Sequence, residues 1–265
     1  DPPLERFASW GKNVLKGDFG TSITYKQQVS TVILERFKYS IVLMLVAWCF
    51  SGIVGFLIGI LAGIYKGSLF DKIIKIFCLA LQSAPTFWIG LLILSLFSVY
   101  LGWFPIGFAV PMGKLSLEIT IWDRIYHLIL PALTLSILGI SRVTLFTRQK
   151  LIEILNSDFI LFAKARGENT RQLVIRHGLR NIALPAITEQ FASFSELFGG
   201  IALAETVFSY PGLGTATTAA GLNGDVPLLL GIAIFSAIFV FVGNFIANIL
   251  YGVLDPRLKE GKYNG

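Results

Sequence analysis

Charge is what this sequence has least of. Asp, Glu, Lys and Arg make up 14% of its 265 residues, where a soluble domain carries about 25%. With 54% hydrophobic residues and a mean hydropathy of +0.71, a soluble globular fold is excluded. Cysteine is scarce too: Cys49 and Cys78 sit inside apolar runs and make neither a disulfide framework nor a metal pattern. His127 and His177 are far apart, as are Met44 and Met112, and no His/Cys/Asp/Glu cluster has ligand spacing. No metal site and no catalytic residue is therefore expected. A phosphate-cradling G-x-x-x-x-G-K-[ST] loop is missing as well. Its nearest approach, "GFAVPMGKLS" from Gly107, has five residues between its glycines and Leu115 after the lysine. If ATP drives this protein, then ATP and Mg2+ sit on separate subunits and this chain binds no cofactor. No apolar leader precedes "DPPLERFASWGKNVLKGDFGTS", so no signal peptide is visible. That opening reads as the middle of a longer protein or a truncated one.

What the sequence has in quantity is long apolar runs. A helix needs about 20 apolar residues to cross the hydrocarbon core. Five stretches qualify: 39–65, 76–101, 128–147, 182–204 and 226–254. The expected organisation is an extracytoplasmic segment 1–38, a transmembrane domain 39–254 with a loop at 150–181, and a tail 255–265. The net charge of +6 then reads as a topology signal rather than as a nucleic-acid footprint. Lys66, Lys72, Lys75, the cluster Arg142 to Arg180, and Arg257, Lys259 and Lys262 fall on one side, 14 basic residues against 8 on the other. The positive-inside rule puts that side, with the loop and the C-terminus, in the cytoplasm of a multi-pass membrane protein. Five spans leave residue 1 outside, as a missing sixth span upstream would require.

Gly55, Gly59 and Gly63 recur at every fourth residue and predict a face where another helix comes close. Pro85 and Pro131 are expected to bend their spans. Trp103, Phe104 and Trp122 read as interfacial aromatics.

The basic stretch "DFILFAKARGENTRQLVIRHGLRN", Asp158 to Asn181, is not idle connecting chain. Gly167 breaks a helix, Asn169 or Thr170 can cap the next, and Arg176 and Arg180 fall four apart on one face. Leu173, Val174 and Ile175 add apolar surface. A helix lying on anionic headgroups fits these features; so does an element docking on a soluble partner.

"RVTLFTRQKLIEILNSDFILFAKARG" followed by "RHGLRNIALPAIT" resembles the loop of ABC-importer permeases of the dipeptide/oligopeptide/nickel family. The matching positions are Asp158, Ala163, Ala165, Gly167, Arg176, His177, Leu179, Arg180, Asn181 and Pro185. Leu161 and Phe162 stand where the general importer loop has Glu and Ala, a departure typical of the peptide/nickel branch. "GDFGTS", "SAPTFWIGLLILSLFSVYLGWFP", "LILPALTL", "GGIALAETVFSYPGLG" and "LDPRLK" resemble it in the same order. The resemblance implies an all-α integral membrane protein of the type I importer fold, with a cytoplasmic coupling helix. It implies that Ala163, Ala165, Gly167, Thr170, Leu173, Arg176, His177 and Arg180 engage an ATPase. A second, homologous permease, two cytoplasmic ABC ATPases and an extracytoplasmic solute-binding protein are the implied partners. The Thr206–Asp225 segment is implied to close the outer mouth.

A carrier driven by protons or sodium is the competing class, and it would need ionisable groups in the membrane. Arg142, Glu189, Glu196 and Glu205 are the candidate gate or pathway residues. Arg142 and Glu189 lie at similar depths and are expected to pair, leaving Glu196 deeper and alone. The solute, peptide or nickel chelate, stays open, as does a purely structural membrane role.

Overall fold

A computed structural model describes residues 3–115 and 117–254; the expected tail 255–265 lies outside them. The fold is all-helical. The pairing of Thr21 with Gln28 is an isolated β-bridge between helices α1 (Pro3–Leu15) and α2 (Val29–Ile64). After α2 come α3 (Leu69–Ser83), α4 (Thr86–Ile93, prolonged by a π-helical turn to Tyr100) and α5 (Ile121–Leu155). Then follow α6 (Asp158–Ala165) and α7 (Thr170–Gln172), the latter running through a π-helical turn, Leu173–Gly178, into α8 (Leu179–Ala192). The last described helices are α9 (Phe194–Val207), α10 (Leu213–Leu222) and α11 (Val226–Leu254).

Among the described residues three helices are long and apolar enough to cross a membrane: Val29–Ile64, Ile121–Leu155 and Val226–Ile249. The pair α3 and α4 makes a fourth span if counted as one, bent by 110° at its break. Pro85, which has no amide hydrogen, sits at that break, so the expected span 76–101 is broken rather than continuous. Pro131 lies inside an unbroken α5. The expected span 182–204 is also divided, at Ser193, whose hydroxyl donates to the Gln190 carbonyl at 2.8 Å. Each half has 14 residues, about 21 Å of helix, which is short of the hydrocarbon thickness of about 30 Å. Helices α2 and α5 begin well before the expected spans, because polar residues such as Glu35, Arg36 and Asp123 are carried on helical turns beyond the apolar run.

The described residues form two compact units. One is drawn from the described residues up to Leu45, Gly90–Ala132 and Phe198–Phe241, the other from Val46–Ile89, Leu133–Leu197 and the described residues from Val242 onward. In the first, Val29, Val32 and Ile33 of α2 pack against Leu213, Ala216 and Ala220 of α10 and Leu228 and Ile232 of α11. The segment 206–225 thus supplies a helix whose small residues are buried. Phe37 packs edge-on against Phe235 and Phe239, with centroids 4.8 and 5.1 Å away. Trp103 and Trp122 are exposed, as membrane-interface aromatics would be.

In the second unit the glycine stripe of α2 meets α5. A Cβ on Gly55 would lie 2.8 Å from Val143 Cβ, one on Gly59 2.7 Å from the Thr144 carbonyl oxygen, and one on Gly63 2.9 Å from Leu151. Backbones this close leave room only for hydrogen at Cα, and Thr144 Oγ1 donates to the Gly55 carbonyl at 3.2 Å across the contact. The small-residue face predicted from the spacing is a helix–helix seam.

Candidate functional site

The basic loop is built on two short helices. Gly167 ends the first with φ +90°, a conformation that strains any residue with a Cβ. Asn169 caps the second: its side chain accepts from the Gln172 amide at 3.0 Å, while Gln172 Oε1 accepts from the Asn169 amide at 2.9 Å. This reciprocal capping box restarts the helix three residues after the break. Ile160 and Ala163 of α6 bury against Leu173, with Ile154 and Leu155 behind them. His177 Nε2 lies 3.2 Å from Glu168 Oε2, bracing the turn.

The proposed coupling residues therefore divide. Ala163 and Leu173 point inward and fasten α6 to the next helix. Ala165, Gly167, Thr170, Arg176 and Arg180 are exposed, and His177 is half-buried. Leu173 and Val174, expected as apolar surface, are buried, Leu173 against Ile160 and Ala163 of α6, and Ile175 is left outside. The apolar surface of the loop comes instead from α6, where Phe159, Leu161 and Phe162 are exposed, Phe162 at 74%. Sequence reasoning treated Leu161 and Phe162 only as departures from a motif. The helical spacing of Ile160 and Ala163 was the available sign that they would face outward.

The ionisable residues of the spans are arranged differently from the expectation. Arg142 pairs with Glu196, not with Glu189. Equal depth does not place two side chains on facing helix surfaces, and the partner of Arg142 lies on α9 rather than on α8. Glu189 is half-buried and has no ion-pair partner among the described residues. Both members of the Arg142–Glu196 pair are accessible, their side chains 42% and 62% exposed. Nearby on the same unit, Ser195 donates to Asn244 of α11. A lipid-facing ion pair is costly, so charged groups in a span face a water-filled path or other protein.

Glu205 is fully buried. Its carboxylate accepts from Ser40 Oγ at 2.5 Å and from the Gly214 amide at 2.6 Å, and Ser40 Oγ in turn accepts from the Leu213 amide at 2.8 Å. The side chain thus caps the N-terminus of α10, and in this conformation no part of it is offered to a solute. A Cβ on Gly212 would fall inside the carboxyl group, which explains the glycines of "YPGLG".

Two buried acids escaped the sequence reading. Asp71 accepts two hydrogen bonds from Arg148 (the Nη2 one at 2.8 Å) and one from the Gly67 amide at 2.8 Å, tying the start of α3 to α5. Asp225 caps α11 and accepts from Ser22 Oγ at 2.6 Å and the Thr24 amide at 2.9 Å. Burial pushes the Asp225 carboxyl up, but the Ser22 hydroxyl and the amides of Thr24, Leu228 and Ile23 outweigh it and hold the group below its ordinary value.

Helices long and apolar enough to cross a bilayer, a braced basic loop that follows one of them and an accessible charged pair describe an integral membrane protein. This chain belongs to the family of binding-protein-dependent transport system inner membrane components, which it matches over residues 55–260. It is 36% identical over 260 residues to the oligopeptide transport system permease protein AppB of Bacillus subtilis, covering 98% of this chain and 81% of that one. It is 34% identical over 276 residues to the di/tripeptide transport system permease protein DppB of Pseudomonas aeruginosa, covering 98% and 82%. It is 31% identical over 271 residues to the dipeptide transport system permease protein DppB of Escherichia coli K12, covering 96% and 79%. Among solved structures, a chain of the MetNI methionine ABC transporter in an inward-facing conformation superimposes with a TM-score of 0.63 at 17% identity, covering 84% of this chain and 96% of that one. That likeness is one of fold, the type I permease architecture.

Proposed function

We propose that this chain is a permease subunit of an ATP-driven importer of di- and oligopeptides. The loop is the observation that carries the reading. It is a preformed, capped and braced projection that exposes Phe159, Leu161 and Phe162 beside Arg176 and Arg180. Such a surface suits an apolar groove with acidic and backbone acceptors at its rim, and a rigid projection transmits displacement into the spans attached to it. Two ATPases holding ATP and Mg2+ would grip this loop in the cytoplasm, on the same side as the C-terminus. A homologous second permease would complete the pathway, and an extracytoplasmic binding protein would deliver the solute. Closure of the ATPases would move the loop and swing the permeases from inward- to outward-facing.

The peptide assignment is supported by relatives that are themselves peptide permeases at 31–36% identity over nearly the whole chain, which favours peptides over nickel chelates. The test is ATP hydrolysis by the complete importer in proteoliposomes with its binding protein, given either short peptides or nickel chelates. Stimulation by peptides is expected; stimulation by nickel chelates alone would replace the substrate assignment.

A further inference from the structure

Helix α3 is held to the second unit along one narrow face. Of its 15 residues only Asp71 and Cys78 are buried; seven apart, about two helical turns, they lie on the same side. Both meet α5. Asp71 meets Arg148, and Cys78 lies beside Ser141 and Thr144. The order is reversed along α5, so the two helices run antiparallel. Cys78 makes a weak contact with little directional preference. Arg148 instead gives Asp71 two hydrogen bonds, from Nε and from Nη2 at 2.8 Å. The Gly67 amide gives Asp71 a third at 2.8 Å, and Ser68 Oγ accepts from the Asp71 amide at 3.2 Å. The Asp71 and Arg148 side chains are only 3% and 15% exposed, which shields the pair from screening by salt. A two-pronged contact between guanidinium and carboxylate fixes direction and register, where apolar packing permits sliding.

The same stretch of α5 carries the basic loop. Leu151, fully buried and three residues beyond Arg148, is wedged between two other segments. A Cβ on Gly178 of the loop would lie 3.0 Å from its Cδ1, and one on Gly63 of α2 2.9 Å from its Cδ2. The loop therefore bears on α5 within one helical turn of the contact with Asp71. From Asp71, α3 runs about 18 Å to its 110° bend with α4. We propose that Asp71 and Arg148 are positioning residues for energy coupling. Displacement of the loop passes through α5 and this pair into α3, and changes the bend between α3 and α4. Their part is mechanical, exerted on α3 rather than on the solute. The proposal rests on the coupling role given to the loop above and adds the contact that carries its movement into a span.

The experiment uses the complete importer in proteoliposomes with its binding protein. It reads peptide taken up per ATP hydrolysed, a ratio that a smaller amount of folded protein leaves unchanged. Asp71→Asn removes the charge and keeps the size. It is expected to lower the ratio at least tenfold while hydrolysis stays within threefold of wild type and the ATPase remains bound. Arg148→Lys keeps both charges and loses one prong, and should hold the ratio within threefold. Asp71→Leu combined with Arg148→Met replaces the ion pair by apolar packing, an exchange that buried pairs tolerate without loss of stability. Its thermal midpoint should match the wild type's, and its ratio should still fall at least tenfold. A wild-type ratio in either Asp71 variant, with uptake and hydrolysis rising or falling together, would make the pair a structural tie and overturn the proposal. Failure of the loop's coupling role shows separately, as Arg176→Glu leaving peptide-stimulated hydrolysis unchanged in an otherwise wild-type chain.

Discussion

The buried carboxylate of Glu205 accepts the Ser40 hydroxyl at 2.5 Å, and the same hydroxyl accepts the Leu213 amide at 2.8 Å. Through this relay the start of α10 is fastened to α2 inside the first unit. Removing the acid leaves the Ser40 hydroxyl and the Gly214 amide buried without an acceptor. Glu205→Ala should cost about 2–4 kcal/mol, seen as a lower midpoint of thermal unfolding for the detergent-purified importer. Glu205→Gln, which keeps an acceptor oxygen, should cost less. An unchanged midpoint for the alanine variant would remove the fastening role.

The ion pair between Arg142 and Glu196 predicts a specific pattern of rescue. Arg142→Glu and Glu196→Arg should each reduce peptide uptake about tenfold by setting like charges together, and the double exchange should restore most of it. Arg142→Glu combined with Glu189→Arg should not recover. Rescue through Glu189 instead would reinstate the partner suggested by counting depth along one helix.

The seam between α2 and α5 has no spare volume at Gly59, where an added Cβ would meet both the Thr144 carbonyl and Thr147 Cβ at 2.7 Å. Gly59→Leu is expected to destabilise the chain by about 1–3 kcal/mol or more and to lower its yield in membranes. Gly221→Leu, where an added Cβ meets nothing within 4 Å, is the control and should be tolerated.

Asp225 gives the protein an acid-sensitive joint outside the spans. Its carboxyl is held below the ordinary value when folded, so its stabilising contribution is complete above the unfolded pKa, about 3.9. The contribution is lost as the pH falls through the folded value. The difference in stability between wild type and Asp225→Asn should be constant from pH 5 to 8 and shrink below about pH 4. A difference that grew towards acid would contradict the sign.

Much of this was legible beforehand for physical reasons. The four-residue spacing of Gly55, Gly59 and Gly63 marks one face of a helix, and the seam lies there. Asn169 with Gln172 three residues on is a local cap, and it forms. Pro85 lacks a donor, and the helix breaks beside it. The break at Ser193 has no proline or glycine to announce it, and the partner of Arg142 was sought by depth alone, which does not fix the helix face a side chain occupies. The Asp71–Arg148 pair joins residues 77 apart, a distance that no local pattern spans, although Ser68 three residues before Asp71 marked the cap. The outward face of α6 was overlooked because Leu161 and Phe162 were weighed against a motif rather than against the helical positions of Ile160 and Ala163.

Coupling of this permease to an ATPase through the loop is read out by solute-stimulated ATP hydrolysis. The complete importer is reconstituted with its binding protein, carrying either the wild-type chain, Phe162→Asp, Arg176→Glu or Gly167→Pro. Peptide should stimulate hydrolysis in the wild type, and all three variants should lose at least nine-tenths of that stimulation, with weakened retention of the ATPase on the permease. Full stimulation in all three variants, with the ATPase still bound, would contradict it and return the loop to a helix resting on lipid headgroups.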